Sequence, residues 1–377
     1  MDRHADGGEL RTRADSAERV GSAERPDSAE RPGSAQRVGF AERTDPFRRE
    51  LLAHCYRMLG SVHDAEDLVQ ETMLRAWRAS ASFDEERASL RTWLYRIATN
   101  ACLNALDSRS RRPLPSDLSR PGGLTEAAQL PTIGQAEVRW LEPFPGTLLG
   151  GDTGGTASAA SPAADPATVV AARDSIRLAF VAALQHLPAR QRAVLILRDV
   201  LAWRAAEVAD LLGITPIAVN SALQRARIRL EQVAPGPERL GTAPTARQQE
   251  LADRYVTAFV DADMATLTQL LADEVVLEMP PYPQWFQGRE TVARFLTRRP
   301  LVRTGRWRVI PVSANGQPAI GAYRIEDDGR HHARMIQVFH ASEQGLTWIP
   351  AFHDQKLFPL FGLPLIYPEA GQPAGAV

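Results

Sequence analysis

A group of small polar and basic side chains near the middle of the chain has the chemistry to recognise DNA. Ser221 and Gln224 lie one helical turn apart, and Asn220, Arg225 and Arg227 flank them. Amide and hydroxyl groups can hydrogen-bond to base edges in the major groove, whereas arginines bind phosphates. Residues 169–235 contain nine arginines and five acidic residues, a local net charge of +4. The pattern favours DNA binding over its alternative, a helical hairpin with a solvated face.

The sequence around this group predicts a helix-turn-helix. A first helix spans Trp203 to Leu212, and Gly213 suits the left-handed position that ends it. Thr215 is a good N-cap and Pro216 a good first residue for the second helix, which continues to about Leu230. One stripe of the second helix is apolar and is predicted to pack inward: Val219, Ala222, Leu223, Ala226 and Leu230. Two helices joined by a short turn can place the second one in a major groove.

Two further amphipathic helices are predicted upstream. In "HDAEDLVQETMLRAWR", residues 63–78, Leu74 interrupts a polar face formed by Asp67, Gln70, Glu71 and Arg78. A single exposed leucine is common on any protein, so these residues alone favour a stray surface side chain. The helix in residues 89–112 has one polar side and a basic end, formed by Thr92, Arg96, Asn100, Arg109, Arg111 and Arg112.

Three segments together resemble the extracytoplasmic-function group of sigma-70 transcription initiation factors. They are "DAEDLVQETMLRAWR", "LRTWLYRIATNACLN" and the helix-turn-helix followed by "LQRARIRL", and they occur in the order of that family. The resemblance covers about 45–115 and 169–235. It implies that the first block binds core RNA polymerase and the promoter −10 element, and that the second reads the −35 element.

The same resemblance implies roles for particular residues. The helix at 63–78 would dock on the clamp of the large polymerase subunit, with Leu74 as an apolar centre inside a polar rim formed by Asp67, Gln70 and Glu71. Asp64 is a further implied polymerase contact on this helix. Residues 79–90 would form the loop that captures a flipped base of the melted −10 element. The implied −10 contacts are Thr92, Arg96, Asn100, Arg109, Arg111 and Arg112, with help from Trp93 or Tyr95, although Trp93 falls on the inward stripe. The implied −35 contacts are Thr215, Asn220, Ser221, Gln224, Arg225 and Arg227.

The last third of the chain resembles a SnoaL-like, nuclear-transport-factor-like domain. The match begins at "ARQQELADRYVTAFVDADM", covers about 248–350, and implies that a curved sheet closes a conical pocket. Candidate pocket residues are Tyr282, Trp285, His340 and His353. Because adjacent residues in a strand point to opposite faces, His353 and Asp354 are not expected to act as a dyad. This domain could catalyse a reaction, bind a small molecule or contact another protein surface. Of these three, a regulatory module that contacts protein is favoured. We therefore predict a protein that is not an enzyme, with no cofactor and no metal.

The sequence predicts a multidomain chain with two all-α domains, a flexible linker between them and a final α+β domain with a curved sheet. Residues 1–44 include five near-copies of a hexapeptide and are predicted to be a disordered tail. The expected boundaries are 45–115 and 169–235 for the helical domains, 116–168 and 236–247 for the linkers, and 248–370 for the last domain. In the first linker Trp140, Leu141 and Phe144 have the character of docking residues. The apolar, proline-rich segment 357–367 is predicted to be an extended strap.

Bulk composition limits the remaining alternatives. The net charge is −1, so any nucleic-acid surface depends on local segregation of charge. The two cysteines are too few for a disulfide framework, and no apolar run is long enough to span a bilayer. We expect a cytoplasmic protein that does not bind membranes. The competing interpretation is a one-component regulator that binds duplex DNA and senses a ligand in its last domain, but such a regulator would not need the block 63–104.

Overall fold

The computed structural model describes residues 34–107, 111–129, 138–149, 175–233, 246–297 and 304–367. In the first helical domain the helices are α1 (Ser34–Thr44), α2 (Arg48–Leu59), α3 (Val62–Arg78) and α4 (Leu90–Asp107). Gly60 ends α2 in the left-handed conformation, with φ of +70°. The Ser61 hydroxyl accepts the Asp64 amide and caps α3. The predicted tail of 1–44 is wrong for its last part, because α1 starts at Ser34; residues 1–33 lie outside the described ranges.

The second helical domain contains the predicted helix-turn-helix. Its helices are α5 (Leu178–Leu184), α6 (Ala189–Leu195), α7 (Ala205–Leu212) and α8 (Pro216–Val233), and a π-helical turn at Ile196–Val200 follows α6. Gly213 has φ of +64° and caps α7, while the Thr215 hydroxyl accepts the amide of Ala218. The two helices meet at an angle of 99°. No single helix in the described ranges is long and apolar enough to cross a membrane, although α7 and α8 taken together, with the bend between them, have the length and apolar composition of a broken span.

The last domain, called here the sheet domain, combines a seven-stranded sheet with helices α9 (Ala246–Asp261), α10 (Met264–Leu270), α11 (Arg289–Thr297) and α12 (Leu357–Leu360). The strands are β1 (Leu271–Glu278), β2 (Trp285–Gln287), β3 (Trp307–Ala314), β4 (Gln317–Ile325), β5 (His331–Val338), β6 (His340–Ser342) and β7 (Gly345–Phe352). The strand order is β2-β1-β7-β5-β4-β3, with β6 beside β7. The β1–β7 pair is parallel and the other pairs are antiparallel. Register shifts in β1–β7 and β4–β5 bend the strands, in keeping with a curved sheet.

The two faces of this sheet belong to different cores. Helices α9, α10 and α11 cover one face, where Tyr255, Phe259, Trp307 and Phe339 pack ring against ring at 5.2–5.3 Å. Residues on the opposite face, such as Ala319 and Trp348, join the same hydrophobic cluster as the buried residues of both helical domains. The sheet domain is therefore packed against the helical domains.

Part of the segment predicted to be a flexible linker is folded. Residues 111–129 and 138–149 form turns, including 3-10 helices at Pro115–Asp117, Glu126–Ala128 and Gly146–Leu149. Leu141 and Phe144 are 1% and 0% exposed, as their apolar character predicted, and Trp140 is half-buried. The free energy gained by burying these side chains offsets the conformational entropy that the segment loses when it becomes ordered. Residues 130–137 and 150–168 lie outside the described ranges.

The predicted strap at 357–367 packs on its own domain. Phe358 contacts the Tyr323 ring at 5.2 Å, and a Cβ on Gly321 would lie 2.3 Å from Leu363, so the sheet has a glycine where the strap crosses it. The strap then pairs with β5, since Ala333 N donates to Leu365 O at 2.8 Å.

Candidate functional site

The exposed face of α3 carries most of the residues that were predicted to bind polymerase. Leu74 is 49% exposed, and Asp67 and Gln70 are exposed beside it. Glu71 is half-buried and accepts a hydrogen bond from Arg75 at 2.6 Å. Trp77 is 38% exposed and extends the apolar part of the surface by one turn. Its spacing of three residues from Leu74 was a signal that the sequence interpretation missed.

Asp64 does not belong to this exposed surface. Its carboxylate accepts hydrogen bonds from Arg112 at 2.6 Å and from Arg139 at 2.9 Å, and its side chain is 15% exposed. Arg112, predicted to contact DNA, is only 10% exposed because it also donates to Trp140 O at 2.9 Å. In this arrangement the folded linker segment gives both residues partners that α3 and α4 do not contain.

The outer side of α4 keeps two of its predicted DNA-binding residues accessible. Arg96 and Asn100 are exposed one turn apart. Thr92 is half-buried, and its hydroxyl lies 2.9 Å from that of Ser89, next to the start of α4. Arg109 lies outside the described ranges. Trp93 is half-buried and Tyr95 is 1% exposed, so Tyr95 is a core residue here.

Arg111 is held in a polar chain between the linker segment and the second helical domain. Its guanidinium donates to Nδ1 of His186 at 2.8 Å, and Nε2 of His186 lies 2.9 Å from the Asp117 carboxylate. Since an arginine only donates, Nδ1 accepts and Nε2 carries the proton that points at Asp117. Burial would raise the pKa of Asp117, but the bond from His186 and that from the Leu114 amide hold it below its usual value.

The second helix of the helix-turn-helix presents its predicted reading face. Asn220, Gln224 and Arg225 are exposed, and Ser221 is half-buried between them. Thr215 is exposed and caps the helix. The flanking apolar residues Ile217 and Ile228 are 79% and 48% exposed. The inward stripe is buried as predicted, apart from the half-buried Leu230.

Arg227 is exposed but forms an ion pair with Asp199. Its guanidinium makes two bonds to that carboxylate, at 2.7 and 2.9 Å. Surface pairs of this kind contribute little stability, so a phosphate can replace the carboxylate. A groove of about 470 Å³ lies beside this helix, between its second half and the start of α6; its lining includes His186, Arg225 and Ile228.

The four candidate pocket residues of the sheet domain are not brought together. Tyr282 and His353 contact each other at 5.3 Å, whereas the His340 ring packs on Trp348 at 4.3 Å. The Trp285 indole donates to Ser119 O of the linker segment at 3.0 Å. The predicted shared pocket is therefore wrong: Trp285 belongs to the core shared with the helical domains, while Tyr282 packs against the opposite one.

A buried carboxylate links the sheet to the linker segment. Glu278, 1% exposed, accepts the Ser116 amide at 2.8 Å and the Trp348 indole at 2.7 Å. Burial raises the pKa of Glu278 despite these two donors. No sequence pattern singled out Glu278.

All three domains meet at Asn315, at the tip of the β3–β4 hairpin. Asn315 and Gly316 have φ of 55° and 69°, the conformation in which an Asn-Gly pair makes a two-residue hairpin turn. Asn315 is fully buried; its Oδ1 accepts Phe144 N at 2.8 Å, and its Nδ2 donates to Tyr56 OH at 3.0 Å and Ile176 O at 2.7 Å. One side chain thus joins the first helical domain, the linker segment and the start of the second helical domain.

The two helical domains also contact each other directly. The Tyr95 and Trp203 rings lie 5.7 Å apart. Arg192 of α6, 3% exposed, donates to the Met58 carbonyl of α2 and to Gln185 Oε1 at 2.9 Å. Burial lowers the pKa of Arg192 to about 10, so it stays charged at neutral pH.

An ion pair fastens the linker segment to the start of α3. Glu142 Oε2 accepts the Val62 amide and the Ser61 hydroxyl at 2.9 Å, and lies 3.1 Å from Nδ1 of His63. The hydrogen bond to Glu142 raises the pKa of His63. Burial would raise the pKa of Glu142, but its bond with His63 and the charge of Arg112 hold it below its usual value.

Comparison with known families matches three parts of the chain. The family described as Sigma-70 region 2 matches residues 45–112, and Sigma-70, region 4 matches residues 177–230. The SnoaL-like domain family matches residues 252–348. These matches do not favour the one-component regulator, which would lack the first of them.

Comparison with individual proteins gives close relatives along most of the chain. It is 48% identical over 323 residues to the ECF RNA polymerase sigma factor SigG of Mycobacterium tuberculosis (strain CDC 1551 / Oshkosh), covering 85% of this chain and 83% of that protein. It is 27% identical over 258 residues to SigJ of Mycobacterium tuberculosis (strain ATCC 25618 / H37Rv), covering 67% and 70%. The crystal structure of Mycobacterium tuberculosis SigJ matches with a TM-score of 0.55 at 22% identity, covering 86% of this chain and 99% of that one, which supports the fold. The chain belongs to the extracytoplasmic-function (ECF) RNA polymerase sigma factors, which partner with core RNA polymerase and promoter DNA in transcription initiation.

Proposed function

We propose that this sigma factor binds the clamp of the large polymerase subunit through the exposed face of α3. The contact residues are Asp67, Gln70, Glu71 and Leu74, extended by Trp77. The observation that carries the proposal is Leu74, 49% exposed among polar side chains on a helix whose other side is buried. Such a side chain gains free energy when a partner covers it, and a polar rim keeps it soluble until then.

The DNA contacts follow from the exposed sides of α4 and α8. Arg96 and Asn100, with Thr92, would hold the melted −10 strand. Ser221 and Gln224 would read −35 bases, while the remaining residues hold phosphates or orient the helix: Thr215, Asn220, Arg225 and Arg227. These groups lie on the outer sides of two helices from separate domains, which supports the assignment of −10 contacts to α4 and −35 contacts to α8.

The two helical domains contact each other directly through Tyr95 and Trp203 and through Arg192 and Met58. This closed arrangement is not the one that engages a promoter. The −10 and −35 elements lie roughly 25 base pairs apart by their names, which is roughly 85 Å of duplex. The 18-residue helix α4 is about 27 Å long, and its Tyr95 touches Trp203 of the other domain at 5.7 Å. Two small domains in direct contact cannot reach both elements, so they must separate on the polymerase.

The sheet domain acts in this proposal as a regulator that works through protein contact. Its Asn315 and Glu278 bind the linker segment, and its helix-covered face is filled by aromatic rings. The candidate pocket residues are engaged in packing, which supports neither catalysis nor a small-molecule ligand. A protein that acts on RNA polymerase is expected in the cytoplasm.

Leu74→Arg tests the polymerase contact. The variant should keep its fold and lose about 2 kcal/mol or more of binding to core RNA polymerase, roughly 30-fold in affinity. Binding is measured by titrating labelled core enzyme, and run-off transcription reports the loss of initiation. Leu118→Arg is the matched control, because Leu118 is also 49% exposed but lies on the linker segment. If Leu74→Arg binds like the parent, or Leu118→Arg loses as much, the exposed face of α3 is not the interface.

A further inference from the structure

The last copy of the N-terminal repeat has a different second residue from the four copies before it. The hexapeptides of residues 15–44 have serine as their second residue in four copies: Ser16, Ser22, Ser28 and Ser34. The fifth copy, "GFAERT", has Phe40 there and retains the arginine of the repeat as Arg43. This copy lies in α1, which packs on the first helical domain. The serine-to-phenylalanine difference thus supplies an aromatic side chain in a copy that docks.

Phe40 docks on Trp93, which lies three residues after the predicted base-capture loop. Its ring meets Trp93 edge to face, with centroids 6.4 Å apart and planes at 82°. Phe83, from that loop, lies 4.8 Å from the same indole with planes at 31°. Arg43 forms an ion pair with Glu85, also in the loop. Helix α1 therefore binds both to Trp93 and to the loop at 79–90.

We propose that Phe40 occupies the place that an unpaired nucleobase takes beside Trp93, so that α1 competes with the melted strand of promoter DNA. The inference rests on the proposed −10 role of α4. Phe83 and Trp93 form a partly exposed aromatic surface, and aromatic surfaces bind bases of any sequence by stacking. Arg96 is exposed one turn along the helix from Trp93, where it can bind the phosphate of such a base.

Competition follows because Phe40 already contacts the indole. A base can stack there only when α1 has moved away, and the observed affinity then falls in proportion to the fraction of molecules that are open. The ordinary serine of the repeat has no ring to hold α1 in place. Phe40→Ser, which restores the repeat, should therefore raise the affinity for single-stranded DNA.

The experiment uses the full chain bound to core polymerase, with a fluorescent random-sequence single strand of about 12 nucleotides as the probe. Anisotropy is measured against core enzyme alone, which supplies the background. Phe40→Ser should bind about fivefold tighter than the parent, the size of effect expected from one aromatic pair. Glu42→Ser, an exposed change on the same helix, should leave binding unchanged. Arg43→Gln, also exposed, should act in the same direction as Phe40→Ser because it removes the bond to Glu85.

Arg96→Ala separates this inference from the proposed −10 surface. If Arg96→Ala weakens the binding of the strand while neither Phe40→Ser nor Arg43→Gln strengthens it, the competition is refuted and the −10 surface stands. If Arg96→Ala has no effect, the −10 surface itself is misplaced. Weaker binding by a Phe40→Ser variant with an unchanged melting temperature would show that α1 assists the strand, which also overturns the proposal.

Discussion

Asn315→Gly should open the closed arrangement without disturbing the sheet domain that carries it. Glycine adopts positive φ readily, so the two-residue turn between β3 and β4 is retained. The substitution removes the three side-chain hydrogen bonds to Phe144 N, Tyr56 OH and Ile176 O. The bond from the Asn315 backbone amide to Phe144 O, 2.7 Å, stays available.

The size of the effect follows from the number of bonds lost. Each contributes about 1 kcal/mol net, so the closed arrangement should lose about 3 kcal/mol relative to the open one. That is a shift of roughly 100-fold in the equilibrium between them. Burial raises the pKa of Tyr56, so its hydroxyl remains protonated and keeps donating to Glu142 O at 2.7 Å in the variant.

Small-angle X-ray scattering of the free protein measures the opening directly, as an increase in the radius of gyration. Titration with core polymerase gives a second readout, because a protein that is already open binds more tightly. Asp327→Gly is the matched control, since it adds a glycine to the exposed turn at the other end of β4. A variant with the parent's scattering curve and the parent's affinity for core enzyme would show that Asn315 does not hold the domains together.

Two further predictions concern DNA reading and pH. Gln224→Ala should change which −35 sequences are preferred, by roughly 1–3 kcal/mol at one base pair. Arg225→Ala should weaken binding to all sequences alike. If binding selections return the same sequence profile and the same loss of affinity for both variants, the orientation of α8 on DNA is wrong. The raised pKa of His63 means that its pair with Glu142 stabilises the closed state fully below the ordinary histidine value of 6.5 and loses that contribution as pH rises through the folded pKa. The lowered pKa of Glu142 adds a contribution that is present above its ordinary 4.5 and lost as pH falls through the folded value. When the pH is raised from about 6 to about 8, the radius of gyration of the parent should therefore increase more than that of His63→Gln. An equal increase would show that the pair does not stabilise the closed arrangement.

Much of the local structure could be read from spacing alone. The inward stripe of α8, its Thr215 cap and the left-handed Gly213 all depend on neighbours within a turn or two, and helical periodicity encodes those neighbours directly. The first helix of the pair begins at Ala205, two residues later than predicted. Trp203 precedes it and is buried against the first helical domain, a contact that local periodicity does not encode.

The prediction that a side chain is exposed was less reliable where a distant segment of the chain covers it. Leu74, Asp67 and Gln70 remain exposed because nothing in the described ranges packs over that side of α3. Asp64 looks the same in sequence, yet it binds Arg112, 48 residues away, and Arg139, 75 residues away. A charge pattern gives the side of a helix on which a residue lies, but does not give the partner that reaches it.

Except for α1, the sequence by itself determined the helices of the two helical domains, the helix-turn-helix, the order of the domains and the family, because each depends on residue types at short, regular spacings. Only the tertiary structure decided that the linker segment folds, that the candidate pocket residues are separated, and that Asn315 joins Tyr56 across 259 residues. The same holds for Phe40 on Trp93. Contacts at such separations depend on how complete surfaces fit together, and many pairings of apolar and polar groups are compatible with one pattern of residues.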